Sequence, residues 1–563
     1  MGLFYRYVLV IILIPSCLGF NVASWATTLR SFDGTNNNLA HPEWGSVGSN
    51  FVRVAPVAYV DQTSVPDIAG RPNPRSVSVA LFQQTEPHPN ARRLSGYVYA
   101  FGQFLSHDMQ LTQTGQDEFI SFRIPSNDDI FFPNQTVALT RSVFDPLTGT
   151  GPDNPQQQVN FSTSFIDASV VYGADEASAS VLRGGPVNPG ARLRTSNDIN
   201  GDGQNLLPRD AFGPRPDADF VAGDSRVNDN VVLSSLHTLF MREHNRLVDG
   251  LAIEHPDWSE EDLYQRARRM VGAQLQAITY NEFLPALLGP LAPSPHGIYD
   301  PNIDPSIINE FPAVFLRIGH SMLTDSFLRI ENDGQPASEG PIPLEDAFFN
   351  PSALATSREL ELFLKGLTFE IQEETDLEMV FGIRAALLGA IDIQRARDHG
   401  LPDYNTFREA YQLPRVTSFT DITPDVAIQQ TLEAIYGNVD SIDPIVGALA
   451  EAHLSDASVG PLVAAVYAEQ FRRLRDGDRF WYQNDPDFTP EELDVLQRTT
   501  LADIIRRNTG VLEIPDNVFF SVIPEPTTFL ILAGVASVLL FKARTGFTVR
   551  NHQQVKQAFS KTD

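Results

Sequence analysis

The sequence predicts a mainly α-helical protein with long loops and few short strands. Three observations lead there. Apolar residues recur at helical spacing through most of the chain after about residue 95, as in "LSSLHTLFMREHNRLVDGLAIEH" at 233–255. Period-two alternation, the mark of half-buried strands, is rare and short. No nucleotide-binding glycine signature occurs, so neither a Rossmann fold nor a barrel is expected. The 563 residues, 42% of them hydrophobic, can bury a sizeable core, and length alone favours two or more compact units. With 41 basic against 70 acidic residues the net charge is −29, which argues against nucleic acid and anionic membranes as partners.

The chain opens on "MGLFYRYVLVIILIPSCLGFNVASWA". Arg6, an apolar run over 8–14 and the small-residue pattern ending at Ala26 have the three-part layout of an export signal, residues 1–26. The alternative is a short anchor that is retained. The "IPSC" stretch suits a lipoprotein cleavage site poorly because of Pro15. Cys17 is the only cysteine, so a chain cleaved after Ala26 has no disulfide, no thiolate chemistry and no cysteine-held metal.

From 27 to about 95 the chain is rich in Pro, Asn and Gly and reads as loops. "LSGYVYAFGQFL" is then apolar on nearly every face, as a buried helix is. Gln103, Ser106, His107 and Gln110 add a polar stripe at spacings of three and four. Asp108 sits about 100° round the helix from His107. In "STSFIDASVVYG" (162–173) oxygens fall at every second residue: the Thr163 hydroxyl, a backbone carbonyl near Phe165, the Asp167 carboxylate and the Ser169 hydroxyl. Hard oxygens on a tight loop suit Ca²⁺, and Asp108 could supply another. "DINGDGQ" (198–204) mimics the start of an EF-hand loop, but Arg209 stands where its closing Glu should be, so it reads as an Asn/Gly turn.

Arg226, in "AGDSRVNDN", leads into the 233–255 helix and could serve catalysis or tie down a loop. The next helix opens with Ser259 and Asp262 in capping-box spacing. Further helices are expected at 357–390, 424–436, 460–475 and 489–508. His320 lies in "FPAVFLRIGHSMLTDSF", inside an expected apolar helix, and His399, beside a Gly-Leu-Pro turn, reads as structural. Near the C-terminus come Pro-Glu-Pro at 524–526, an apolar run at 529–541, then Lys542 and Arg544. The run is short of the ~20 residues of a spanning helix, and the basic pair would hold its end in the cytoplasm. This stretch resembles the PEP-type sorting signal of bacterial envelope proteins, in which the tripeptide is a processing site and the tail a temporary membrane anchor; the alternative is an ordinary, permanent C-terminal membrane anchor. A polar tail continues beyond it to residue 563.

Taken together, "GQFLSHD", "TSFIDASVVYG", "LHTLFMREHNRL", "RIGH", "QRARDHGLPDYN" and "GDRFWY", in this order over roughly 30–510, resemble the animal-type haem peroxidases, the myeloperoxidase and peroxidasin superfamily. The resemblance implies that family's fold, a single large helical domain over 27–520, between the signal (1–26), the sorting segment (521–545) and the tail (546–563). It implies haem b and Ca²⁺ as cofactors. It implies reduction of hydrogen peroxide with oxidation of a halide, pseudohalide or small organic reductant. By this likeness His107 is the distal histidine, Gln103 orders water and halide above the haem, and Arg226 is the distal arginine. His320 is the proximal iron ligand and Asp392 holds its imidazole. Arg395 is a haem-propionate partner, and Arg317 another. Asp108, Thr163, Phe165, Asp167 and Ser169 match the calcium site. The setting is extracellular or in the envelope of a Gram-negative-type bacterium, with the envelope sorting machinery as partner.

Several positions depart from the family pattern. Ser106 cannot form the haem ester made by a carboxylate in mammalian members. Asp229 replaces a Glu and leaves at most one ester. Asn230 excludes the sulfonium link of myeloperoxidase. Asp392 stands where mammalian enzymes often have Asn, so a more anionic imidazole, a lower reduction potential and weak chloride oxidation are expected. A fatty-acid dioxygenase is disfavoured because Arg317 occupies the position of the radical-forming tyrosine in cyclooxygenases. The non-enzymatic alternative is an envelope or biofilm-matrix protein that keeps the fold alone.

Overall fold

Six helices frame the interior: α1 Tyr97–Met109, α2 Val231–Glu254, α3 Glu260–Ile278, α4 Ser357–Phe369, α5 Leu388–Asp398 and α6 Pro461–Asp476. They come from a computed structural model that describes residues 29–184, 190–209 and 219–522. The expected export signal with Cys17, and the Pro-Glu-Pro segment with its tail, lie outside the described residues. No described helix is long and apolar enough to cross a membrane.

α2 is central. The Asn230 side chain caps it by accepting from Leu233 N–H, and its buried residues fall on nearly every face. It packs between α1 and α3. α3 opens with the expected Ser259–Asp262 capping box and continues through a π-turn at Thr279–Phe283. One continuous apolar core runs from Phe32 to Phe519. Among the described residues the strands form three two-stranded antiparallel sheets, as the scarcity of period-two patterns predicts.

Three expectations change. The helix expected at 357–390 stops at Phe369. Residues 371–379 leave the helix, bridge to Ser95, Pro89 and Gln83 and bend at 375–377, while Glu373 and Glu374 accept from the backbone N–H groups of His88 and Ala91. Those carboxylates anchor the segment outside the helix. The helix expected at 489–508 is two, Pro490–Arg498 and Leu501–Asn508, because Thr500 starts a new capping box with Asp503. His320 ends a 3₁₀ turn, Phe315–His320, and does not lie inside an α-helix. Pro312 and Gly319 both disfavour a continuous helix there.

Candidate active site

α1 packs against the Phe315–His320 turn, and a cavity of about 240 Å³ opens between them. Its lining brings together Gln103, Ser106, His107, Arg226, Asp229, Arg317 and His320, with apolar walls that include Leu105, Leu316, Ile318 and Phe348. The polar stripe on α1 thus faces a cavity inside the protein.

On the α1 side, His107 is 6% exposed, and burial followed by the Arg226 charge holds its imidazole well below its ordinary pKa, against the pull of Asp224. A neutral ring is a competent base. Its Nδ1 lies 3.7 Å from Asp224 Oδ1, an electrostatic contact rather than a hydrogen bond. Arg226 donates through Nε to Asp224 Oδ1 at 2.9 Å, and through Nη2 to Asp224 Oδ2 at 2.8 Å and to the Gln110 carbonyl at 2.7 Å. Burial works to raise the Asp224 carboxyl, but Arg226 and His107 outweigh it and hold it well below the usual range. Gln103 Oε1 accepts from Asn230 Nδ2 at 2.9 Å, and its amide nitrogen reaches Asp229 at 3.5 Å. Burial pushes the Asp229 carboxyl up to about 7, with Arg226 opposing and Asp224 assisting. Ser106 keeps its hydroxyl on the Gln110 amide.

Across the cavity, His320 Nδ1 donates to Asp392 Oδ2 at 2.7 Å. Asp392 is fully buried on α5, and its other oxygen accepts from Arg317 Nη1 at 3.0 Å. With Nδ1 engaged, the ring's remaining nitrogen is Nε2. Arg317 lines the cavity but is held by Asp392 and the Pro312 carbonyl. Arg395 is not in the lining: its Nη1 donates to Thr140 O, Ser142 Oγ and Asp398 Oδ2. Asp398, one helical turn on along α5, sets its orientation.

Asp108 turns away from the cavity. Its carboxylate accepts from the backbone N–H groups of Asp167, Ala168 and Val170 and from the Ser169 hydroxyl, and Thr163 Oγ1 donates to Asp167. Phe165 is fully buried in the same loop. Burial and mutual repulsion raise the Asp108 carboxyl, and burial raises Asp167 despite Arg30 and Arg268. Two buried carboxylates side by side fit a divalent cation bound by oxygens. The 198–204 stretch is not all turn: its first three residues end a short helix, Ser196–Asn200, opened by a Thr195–Asp198 capping box, and the turn begins at Gly201, where Asp202 accepts from Ser196 Oγ and Gln204 N–H.

Sequence reading missed Asp224. It caps the short 3₁₀ turn Ser225–Asn228 by accepting from Arg226 N–H, and an Asp two residues before a candidate arginine was the available signal. Nothing local signalled its approach to His107.

The sequence model of the animal haem peroxidase family matches residues 29–519. Peroxinectin A of Dictyostelium discoideum is 34% identical over 524 residues, covering 87% of this chain and 95% of the relative. Peroxidasin of Drosophila melanogaster is 33% identical over 538 residues, 84% of this chain. The chain spans only 35% of that relative and 34% of the fly dual oxidase. Among solved structures, peroxidase A from Dictyostelium discoideum superposes with a TM-score of 0.77 at 32% identity, over 88% of this chain and all of the other. The fatty acid α-dioxygenase of Arabidopsis thaliana shares the fold, at a TM-score of 0.73 and 19% identity, over 88% of this chain and 84% of the other.

Proposed function

The chain belongs to the animal haem peroxidase family, and from that premise we propose that it reduces hydrogen peroxide to water while oxidising a halide, pseudohalide or small organic reductant. One observation carries most of the weight: a single cavity collects His107 and Arg226 on one side and His320, held by Asp392, on the other.

The lining suits haem b, with apolar walls and one histidine whose tautomer a buried carboxylate fixes. His320, through Nε2, would hold the haem iron, and the haem would supply the redox chemistry. Around it the chain's own residues handle protons and charge. His107 takes the proton from the near peroxide oxygen and returns it to the far one, base and then acid at the same nitrogen. The Arg226 guanidinium, fixed by Asp224, stabilises the negative charge that grows on the departing oxygen. Gln103 orders water and the entering anion. With a halide as reductant, peroxide, halide and one proton give hypohalous acid and water.

Asp229 is the one candidate for an ester to the haem. Calcium at Asp108, Thr163, Phe165, Asp167 and Ser169 fixes α1 from behind, and so the height of His107 in the cavity. The layouts of 1–26 and 521–545 support export to the envelope of a Gram-negative-type bacterium, with a temporary C-terminal anchor and processing near 524–526 by the sorting machinery. Mass analysis of the mature chain's two ends tests that part.

The test of function is the absorption spectrum of haem-reconstituted protein before and after one equivalent of peroxide, beside His107→Ala and His320→Ala. A Soret band that shifts quickly in wild type, slowly in the first variant, and is weak or altered in the second supports the reading. Folded, calcium-loaded protein that takes up no haem overturns it and leaves the matrix-protein alternative.

A further inference from the structure

α1 carries a further polar group in line with Gln103 and His107. Tyr99 lies four residues before Gln103 and eight before His107, about 12 Å from the histidine along the helix axis. It lines the same cavity and is 6% exposed. Its phenol donates to Glu370 Oε1 at 2.5 Å, a short contact between a hydroxyl and a carboxylate. Glu370 is 4% exposed at the end of α4, and Thr324 Oγ1 donates to the same oxygen at 2.8 Å. Its Oε2 has no hydrogen-bond partner among the described residues.

The approach is built into the backbone. A Cβ at Gly96 would stand 3.1 Å from the Tyr99 hydroxyl and 3.3 Å from the Glu370 carboxyl carbon. The ring packs on Phe327, with centroids 6.1 Å apart. The cavity has a second tyrosine in its lining, Tyr467, which provides a contrast: its phenol donates to the Phe315 carbonyl at 3.1 Å, and an amide oxygen is a poor proton acceptor. Oxidising a buried phenol requires its proton to leave with the electron, since a phenol radical cation is strongly acidic. Of the two tyrosines in this lining, Tyr99 alone has a base in place for that; Tyr404 on Glu451 and Tyr436 on Asp443 lie outside it.

We propose that Tyr99 is an internal electron donor of this cavity, with Glu370 the acceptor of its phenolic proton; the inference rests on the peroxidase reading. The step balances. The Tyr99 O–H bond breaks, an O–H bond forms at Glu370 Oε1, and one electron passes to the peroxide-oxidised haem. A neutral phenoxyl radical remains on Tyr99 and holds one oxidising equivalent. An external reductant later restores the phenol with an electron, and Glu370 returns the proton. Burial pushes the Glu370 carboxyl up to about 7, which makes it a better acceptor than an exposed carboxylate.

The test uses haem-loaded protein mixed with one equivalent of peroxide and no reductant, freeze-quenched for electron paramagnetic resonance, with absorption spectra followed on the same samples. Wild type is expected to give a tyrosyl signal that narrows when the protein carries ring-deuterated tyrosine. Tyr99→Phe, which keeps the packing on Phe327, is expected to lose the signal while the haem still responds to peroxide. Tyr467→Phe is expected to keep it. Wild type is expected to show a solvent-deuterium effect on radical formation; Glu370→Gln, nearly the same shape without the base, is expected to form the radical at least about tenfold more slowly and to lose that effect. That variant also serves if Tyr99→Phe does not fold. A signal unchanged in Tyr99→Phe, or no protein radical where the haem band does respond, overturns the proposal and leaves the peroxidase reading standing. A wild-type haem band that ignores peroxide overturns both.

Discussion

Asp224 grips Arg226 with both carboxylate oxygens, at 2.9 and 2.8 Å. The same carboxylate stands 3.7 Å from Nδ1 of His107. One buried anion therefore holds Arg226 and sets the charge beside His107. Asp224→Asn keeps the shape but halves the grip on Arg226 and removes the charge beside the imidazole. We expect haem uptake to persist and the second-order rate of the peroxide-induced Soret shift to fall about 10–100-fold. An unchanged rate would show that Arg226 is held well enough by the Gln110 carbonyl alone.

On the other side, Asp392 is shared between His320 at 2.7 Å and Arg317 at 3.0 Å. The carboxylate makes the imidazole more anionic, and the guanidinium offsets part of that. The two substitutions should therefore act in opposite directions. Asp392→Asn is expected to raise the haem reduction potential and Arg317→Met to lower it, each by on the order of 60 mV, a tenfold change in a one-electron equilibrium. Optical potentiometry reads both. With Asp392 in place, bromide, iodide, thiocyanate or phenols should be oxidised faster than chloride; chloride turnover exceeding bromide turnover would refute this.

The parts of the site legible in the sequence are those written within one element. The stripe of Gln103, Ser106 and His107 was visible because helical periodicity puts those residues on one face, and the oxygens of 163–169 because they alternate along one loop. The non-helical run after Phe369 and the 3₁₀ turn ending at His320 were missed because tertiary partners and single Pro and Gly residues override an apolar pattern. The pairs Asp224–His107, Arg317–Asp392 and Tyr99–Glu370 lie far apart along the chain, the last by 271 residues, and no local signal marks them.

Asp108 and Asp167 place two buried carboxylates together, and the backbone N–H groups of 167, 168 and 170 relieve only part of the repulsion. A divalent cation bound there would relieve the rest. Chelation is expected to lower the thermal midpoint, and added calcium to restore it, with about 2.7 kcal/mol of stabilisation at one hundred times the dissociation constant. The peroxide reaction should slow in the chelated protein, since α1 carries both Asp108 and His107. A midpoint insensitive to chelator and calcium alike would remove the ion from the site.

Glu282 belongs to neither constellation, yet it makes the sharpest stability prediction. It sits on the π-turn Thr279–Phe283, 5% exposed, with Oε2 accepting from Leu501 N–H at 2.7 Å and Oε1 without a hydrogen-bond partner among the described residues. Burial pushes its carboxyl up to about 8, with the Leu501 N–H opposing and Asp503 assisting. The folded-state pKa lies above the unfolded one, so the folded chain holds this proton more tightly. That contribution to stability is complete below the unfolded pKa near 4.3 and is lost as pH rises through about 8. Glu282→Gln keeps an acceptor for Leu501 and has no charge to bury. Its advantage over wild type should grow from about pH 5 to about pH 9, reaching about 1–3 kcal/mol in denaturant titrations. A difference that stays flat across that range would mean the carboxylate finds water or a counter-charge, and that the π-turn does not seal it from solvent.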